Sequence, residues 1–284
     1  MGTACDDPIG IFDSGLGGLS VVHAIRRLLP TEQLLYVADC AHAPYGGCSA
    51  AFIRTRALAL AGFLQTQRAK ALVVACNTAT AAAAEALRRQ FELPIIAMEP
   101  AVKRAAAATR CNVVGVLATE GTLASARFAG LLARFAGAVQ VVTRPAPDLV
   151  LLVERGEIDG IEAMRRVEAH VSYLLHQGSD TIVLGCTHYP HLRPLIERAA
   201  GPEIAIIDTG PAVARELRRR LEEKDLVRSS AGGGLIRIWT SATTSSARAI
   251  AQRLAGPDHS ALVIDALPAL PTSQSDPGRQ ATGG

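Results

Sequence analysis

The chain has 284 residues, 29 of them basic and 26 acidic, and its formal net charge is +3 at pH 7. These charges form no basic block, which argues against nucleic acid as a partner. A hydrophobic content of 49% supplies the cores of roughly two domains. The longest uncharged apolar run, between Lys70 and Glu85, is too short and too polar to span a bilayer. Because acidic residues stand where a secretory signal would be basic, we expect a cytoplasmic protein with no membrane partner.

Short β-branched or aliphatic segments alternate with longer Ala/Leu/Arg helical patterns along most of the chain. This alternation predicts parallel sheets covered by helices, so the expected fold class is α/β, doubly wound. The predicted strands are 10–12, 34–38, 71–75, 95–97, 113–117, 139–142, 181–185, 204–207, 236–239 and 261–265.

The strands divide into two groups. Residues 101–207 contain their own strands and helices, and the last two strands need a partner sheet, so we expect the chain to return to the first domain after residue 208. The predicted first domain is therefore 1–100 plus 208–267, and the second is 101–207. From residue 268 the chain is rich in Pro, Ser and Gly without apolar periodicity, which predicts a disordered tail over 268–284.

Two segments share one local pattern. In both ALVVACNTAT (71–80) and TIVLGCTHYPHL (181–192), an apolar strand runs into a cysteine, then polar residues, then a helical pattern. A similar pairing relates IGIFDSGLGG (9–18) to VVGVLATEGT (113–122). Ligands of open parallel sheets bind beyond the carboxyl ends of the strands. We therefore expect one cleft to contain five strand-end residues: Asp13, Ser14, Cys76, Thr119 and Cys186.

The helix-forming residues that follow each cysteine bear on its reactivity. Asn77 and Thr78 are good N-cap types, and Pro190 suits a first helical turn. Both thiols would then feel the positive end of a helix dipole, which lowers a thiol pKa from about 8.5. Free N–H groups at the same helix ends could hold a substrate carboxylate.

The bland interpretation of each cysteine is a small buried side chain. The six cysteines contain no CxxC pair, which favours free thiols in a reducing compartment; they are at positions 5, 40, 48, 76, 111 and 186. Asp13 is consistent with a helix cap or with a group that orients a base or a substrate amine. His188 is consistent with a solvated loop histidine or with an acid/base partner of Cys186.

Cofactor signals are weak. GLGG at 15–18 resembles a phosphate-binding turn, but Ser20 replaces the third glycine of the dinucleotide motif. A zinc set drawn from the site cysteines, His188 and His191 lacks closed-site spacing, and no lysine stands at a strand end to bind pyridoxal phosphate. We expect neither a metal nor a cofactor.

Two symmetric thiols across one cleft suggest proton transfer, in which one removes a proton from a carbon and the other delivers one to the opposite face. That reaction inverts a stereocentre. A solute-binding module with merely buried cysteines is an alternative, and so is a cysteine hydrolase, which would need only one thiol.

Several motifs together resemble the cofactor-independent aspartate/glutamate racemase family, in its glutamate racemase branch: FDSGLGGLSV (12–21), APYGGCS (43–49), ACNTAT (75–80), MEPA (98–101), ATEGT (118–122), GCTHYPHL (185–192) and DTGPA (208–212). Thr-His after the second cysteine is similar to the glutamate branch. The chain departs from the family at Cys40, where threonine is common.

The resemblance implies two α/β domains related by a pseudo-twofold, a homodimer, and interconversion of L- and D-glutamate that supplies D-glutamate for peptidoglycan. Aspartate or broad-specificity racemisation is the alternative. The implied acid/base residues are Cys76 and Cys186. The implied substrate contacts are Asp13, Ser14, Tyr45, Gly46, Asn77, Thr78, Thr187 and His188, with Thr119 and Thr122 as further contacts.

Overall fold

A computed structural model describes residues 4–135, 137–229, 232–255 and 263–270. All ten predicted strands are present in these ranges, with ends that differ from the sequence prediction by a few residues. The strands are β1 (Ile9–Asp13), β2 (Leu34–Ala38), β3 (Ala71–Val74), β4 (Ile95–Ala97), β5 (Val113–Ala118), β6 (Gln140–Pro145), β7 (Thr181–Leu184), β8 (Ala205–Asp208), β9 (Ile236–Thr240) and β10 (Val263–Ala266).

Helices connect the strands and cover the sheets. The α-helices are α1 (Leu19–Leu28), α2 (Ala50–Thr66), α3 (Asn77–Gln90), α4 (Val102–Ala108), α5 (Glu120–Leu123), α6 (Ala126–Ala133), α7 (Pro147–Glu154), α8 (Ile161–His176), α9 (Arg193–Ala200), α10 (Gly210–Glu222) and α11 (Thr244–Ala255). Short 3-10 helices occur at Cys40–His42, Tyr45–Gly47 and Tyr189–Leu192. Within the described residues, no helix has the length and apolar character needed to cross a membrane.

The strands form two sheets whose paired strands all run parallel in the described part of the chain. The first has the order β10-β9-β2-β1-β3-β4 and the second β6-β5-β7-β8. This confirms the α/β class with two parallel-sheet domains. The order β6-β5-β7-β8 repeats the order β2-β1-β3-β4, so β3 and β7 occupy equivalent places in the two sheets.

The central strands are apolar because helices cover both faces of each sheet. Every residue of β1, β3 and β7 is buried, as expected for parallel strands packed on two sides. Polar side chains gather instead where these strands end. Gly185, just beyond β7, permits a close approach, since a Cβ there would lie 2.7 Å from the Leu117 carbonyl oxygen of β5.

After β8 the chain returns to the first sheet, where β9 pairs with β2 and β10 pairs with β9. Leu267 and Leu270 pack against the core of that sheet. Residues 271–284, most of the predicted tail, lie outside the described residues.

Candidate active site

A small cavity lies where the carboxyl ends of the two sheets face each other. Nine of the ten predicted catalytic and substrate-contact residues line it. The tenth, Asp13, is completely buried and contacts two lining residues, Ser14 and Thr187. The full lining is Ser14, Pro44, Tyr45, Gly46, Cys76, Asn77, Thr78, Thr119, Thr122, Val150, Gly185, Cys186, Thr187 and His188.

Cys76 comes from the first sheet. It follows β3 and is the N-cap of α3, where its sulfur accepts a hydrogen bond from the Ala79 backbone N–H at 3.4 Å. Its Sγ also lies 3.9 Å from the Ser14 hydroxyl. With only 5% of its surface exposed, the thiol reaches little besides the cavity.

Cys186 comes from the second sheet and is linked to a histidine and a carboxylate. Its Sγ lies 3.4 Å from Nδ1 of His188, and Nε2 of His188 lies 2.6 Å from Oε1 of Glu154. Glu154 also accepts a hydrogen bond from the Leu16 backbone N–H at 2.8 Å. The thiol, imidazole and carboxylate therefore form a continuous hydrogen-bonded chain that ends on the β1–α1 loop.

The histidine in this chain favours its charged form. Burial alone would lower the pKa of His188, but the charges and hydrogen bonds of Cys186 and Glu154 outweigh burial and raise this pKa well above its ordinary value. Burial likewise opposes ionisation of Glu154, yet the hydrogen bond and charge of His188 keep its pKa below normal. The pair is accordingly held as imidazolium and carboxylate.

The sequence predicted a lowered pKa for Cys76, and the direction of this shift was wrong. Burial raises the pKa of Cys76 well above its ordinary value and the nearby Asp13 raises it further, although the helix end is present and the Ala79 N–H favours the thiolate. Desolvation of a thiolate in an apolar interior outweighs one hydrogen bond and a helix end. Cys76 is therefore a thiol in the resting site.

The helix predicted after Cys186 also differs. The segment Tyr189–Leu192 is a 3-10 helix, and α9 begins only at Arg193. Cys186 thus has no N-terminus of a long helix directly beside it. Its neighbour His188 takes the place of the predicted helix end as the nearby positive group.

Asp13 and the cleft threonines form two further hydrogen-bonded groups. The Asp13 carboxylate accepts from the Ser14 N–H at 2.6 Å and from the Thr187 hydroxyl at 3.0 Å, and burial raises its pKa. On the opposite wall, the Thr78 hydroxyl lies 2.9 Å from that of Thr119 and 3.3 Å from that of Thr122. Both groups join residues of the two sheets.

Asn77 is the one lining residue with an unused amide. Both its Nδ2 and Oδ1 are buried and have no hydrogen-bond partner among the described residues. A buried amide without partners costs free energy unless something else supplies them. This amide is therefore available to a polar ligand in the cavity.

The GLGG turn has a steric explanation. A Cβ at Gly15 would lie 2.0 Å from Oε1 of Glu154, and a Cβ at Gly17 would lie 2.4 Å from Nδ1 of His188. These two glycines allow the β1–α1 loop of the first domain to approach Glu154 and His188. The turn resembles a phosphate cradle in sequence because both need backbone without side chains.

Sequence reasoning missed Glu154 and three lining residues, Pro44, Val150 and Gly185. It considered strand ends, whereas Glu154 and Val150 lie on α7. One available signal was an acid that ends the apolar run LVLLV at the start of a loop. Its partner, however, lies 34 residues away in sequence, and only the packing of α7 brings them together.

The fold and the site together define an α/β protein with paired buried cysteines between two parallel sheets. The chain belongs to the Asp/Glu/Hydantoin racemase family, whose family model matches residues 9–217. Family membership makes it an isomerase.

Curated relatives and solved structures agree with this family. The chain is 54% identical over 244 residues to a protein named glutamate racemase from Pseudomonas putida, covering 86% of this chain and 92% of that one. It is 55% identical over 235 residues to the glutamate racemase of Pseudomonas aeruginosa, covering 82% and 88%. The crystal structure of glutamate racemase isoform RacE1 from Bacillus anthracis superposes with a TM-score of 0.81 at 32% identity, covering 92% of this chain and 97% of that one. The Escherichia coli glutamate racemase, solved with L-glutamate and an activator, gives a TM-score of 0.80 at 31% identity, covering 93% and 98%.

Proposed function

We propose that this chain interconverts L-glutamate and D-glutamate by two-cysteine acid/base proton transfer and supplies D-glutamate for peptidoglycan synthesis. The observation that carries the proposal is the placement of Cys76 and Cys186. They follow equivalent strands of two different sheets, yet both line one cavity. Removal of a proton on one face of the α-carbon and delivery on the other inverts the configuration. The names of the relatives above support glutamate as the substrate.

In the direction from L- to D-glutamate, Cys186 acts as the base. In this role Cys186 is the thiolate that accepts a hydrogen bond from Nδ1–H of the His188 imidazolium, and the Glu154 carboxylate stabilises the imidazolium from the other side. The thiolate takes the α-proton while the Cys76 thiol gives its own proton to the opposite face. The raised pKa of Cys76 suits this acid role. For D-glutamate the two cysteines exchange roles, and Asp13 assists Cys76.

The polar lining holds the amino acid. The Asn77 amide could accept a hydrogen bond from the substrate ammonium at Oδ1 and donate one to a carboxylate from Nδ2. The hydroxyls of Ser14, Thr78 and Thr187 and the loop at Tyr45 and Gly46 supply the remaining contacts that we propose, with Thr119 and Thr122 beside them.

An α-proton is far less acidic than a thiol, so the site must stabilise a carbanion-like transition state. We propose that backbone N–H groups in the first turn of α3, which begins directly after Cys76, act as preorganised donors to this transition state, since such donors act strongly where water is excluded. Cys76 and Cys186 are 5% and 7% exposed. Substrate therefore binds to a more open cleft, and closure precedes chemistry.

The decisive experiment is proton exchange at the α-carbon. Metal-free, pyridoxal-free protein is incubated with each enantiomer of glutamate and of aspartate in deuterated water, and the α-proton signal is followed by NMR. We expect loss of the signal from both glutamate enantiomers. Retention of the signal in all four substrates would refute a racemase, and faster exchange of aspartate would refute the substrate assignment.

Serine variants test the two-thiol mechanism. Cys76→Ser and Cys186→Ser should each abolish most racemisation, because a hydroxyl is a far weaker acid than a thiol. Cys111→Ser is the matched control, since Cys111 is exposed and lies outside the cavity. Normal turnover in either site variant would rule the mechanism out.

Assembly and cellular location are part of the proposal. We propose a cytoplasmic homodimer, which the family resemblance supports. Sedimentation at micromolar concentration tests it, and a monomer at the concentrations used for turnover would contradict it. The proposed domains are 1–100 with 208–267, and 101–207. Limited proteolysis near residues 100 and 208 tests these boundaries.

A further inference from the structure

A buried ionic group lies behind the Tyr45–Gly47 turn, and its charged members Asp39 and Arg56 do not line the cavity. Asp39, just beyond β2, is completely buried, and its carboxylate accepts hydrogen bonds from three side chains. Arg56 of α2 donates two, from Nε at 2.9 Å and from Nη2 at 2.7 Å. The Tyr45 hydroxyl donates a third at 2.5 Å, and Nδ1 of His42 lies 2.9 Å away. Arg56 is itself buried and does not line the cavity.

The charges of this group stabilise one another. Burial opposes ionisation of Asp39, but the hydrogen bonds from His42 and Arg56 outweigh it and hold the pKa of Asp39 far below its usual range. Burial and the Asp39 carboxylate both raise the pKa of Tyr45, so its hydroxyl remains a donor. A two-pronged arginine contact sets the orientation of a carboxylate as well as its charge.

The anchored tyrosine belongs to the wall of the cavity. Its hydroxyl is directed to Asp39, so the Tyr45–Gly47 turn presents other atoms to the cavity, and Tyr45 and Gly46 both line it. The same turn meets the second domain, because a Cβ at Gly46 would lie 3.3 Å from Cβ of Thr119 and one at Gly121 would lie 3.0 Å from the Gly46 carbonyl oxygen. A small displacement of the turn would therefore change both the pocket and its closure.

We propose that Arg56 is a positioning residue for substrate binding, which acts through Asp39 to hold Tyr45 and Gly46 in the wall of the cavity. The inference rests on the proposed glutamate racemisation. It assigns Arg56 no contact with substrate and no part in proton transfer. Disturbing the anchor should weaken binding of both enantiomers while the chemistry of the two thiols remains intact.

Conservative variants test this role. Arg56→Lys keeps the charge but loses the two-pronged contact, and Tyr45→Phe removes only the hydroxyl that reaches Asp39. Each should raise KM for both enantiomers about tenfold, the equivalent of one hydrogen bond to a charged group, with little change in kcat. Arg54→Lys is the matched control, because Arg54 lies on the same helix but is exposed, and its KM should equal that of the unaltered protein.

The double variant separates a shared anchor from two independent effects. If both residues act through Asp39, Arg56→Lys combined with Tyr45→Phe should raise KM by clearly less than the product of the single increases. Thermal melting of every variant shows that each is folded at the assay temperature.

Three results would overturn the inference. Unchanged KM values with lowered melting temperatures would make Arg56 purely structural. A fall in kcat at constant KM, or a change in the primary isotope effect of α-deuterated glutamate, would place it in the chemistry. Multiplicative effects in the double variant would remove the common anchor. If the unaltered protein shows no turnover of glutamate, the proposed function itself fails. This measurement precedes the comparison of variants, so the two failures can be told apart.

Discussion

Replacement of Glu154 by glutamine tests the hydrogen-bonded chain behind Cys186. Oε1 of Glu154 lies 2.6 Å from Nε2 of His188, and the two side chains are 15% and 3% exposed, so solvent screens their interaction little. A glutamine oxygen can still accept the hydrogen bond from the Leu16 N–H. The substitution therefore removes mainly the negative charge that faces the imidazolium.

The size of the effect follows from that contact. A hydrogen bond between charged, buried groups contributes about 1.5–3 kcal/mol, which corresponds to a decrease of about 1–2 units in the pKa of His188. Because the pKa of His188 is raised in the intact site, the imidazolium is present at pH values below this pKa and is lost as the pH rises through it. In Glu154→Gln that loss should occur at lower pH, by the same about 1–2 units.

The assay measures kcat/KM as a function of pH, starting from each enantiomer in turn. Circular dichroism follows the racemisation. The alkaline limb should move to lower pH in Glu154→Gln and stay in place in Glu157→Gln, the matched control, since Glu157 is exposed three residues further along. The equilibrium constant of a racemisation is unity, so kcat/KM must fall equally in both directions. The separate kcat values should fall more for L-glutamate, for which Cys186 is the base. An unshifted alkaline limb would refute the role assigned to Glu154.

Two further predictions concern steric approach and the unused amide. Gly17→Ala should reduce turnover severely, because the new Cβ would lie 2.4 Å from the His188 ring. Gly62→Ala is the control and should leave the kinetics unchanged, since a Cβ there meets nothing within 4 Å. Equal kinetics for the two variants would contradict the steric argument. Asn77→Ala should raise KM without lowering the melting temperature, because the amide has no hydrogen-bond partner among the described residues and its removal leaves no other group unpaired. Initial rates and thermal melts measure the two quantities. A lower melting temperature with unchanged KM would show that Asn77 is structural instead.

Much of the fold could be predicted because each buried parallel strand is a continuous apolar run between helical patterns. ALVV and TIVL, for example, are completely buried in the structure and were predicted as strands. The ends were less accurate: β6 extends to Pro145 rather than ending at residue 142, since pairing with the neighbouring strand β5, and not local composition, determines where a strand stops.

The site could be predicted only where its residues lie at strand ends. Cys76, Cys186, Ser14 and their polar neighbours follow strands, so their place at the cleft was predictable from the parallel topology. Glu154 was not, because its contact with His188 depends on how α7 packs against α8 and the 3-10 helix Tyr189–Leu192. The pKa of Cys76 was predicted in the wrong direction for the same reason, since burial is a property of the folded chain.

The sequence by itself determined the parallel α/β architecture, the twin cysteine segments and the family to which the motifs point, because strand pattern and motif spacing are local properties of the chain. Tertiary structure decided which protonation state the groups favour, which glycines permit the domains to approach, and that Arg56 and Asp39 anchor the Tyr45 turn. These properties depend on desolvation, on charges and on distances of a few ångströms between residues far apart in sequence, and such quantities exist only after the chain has packed.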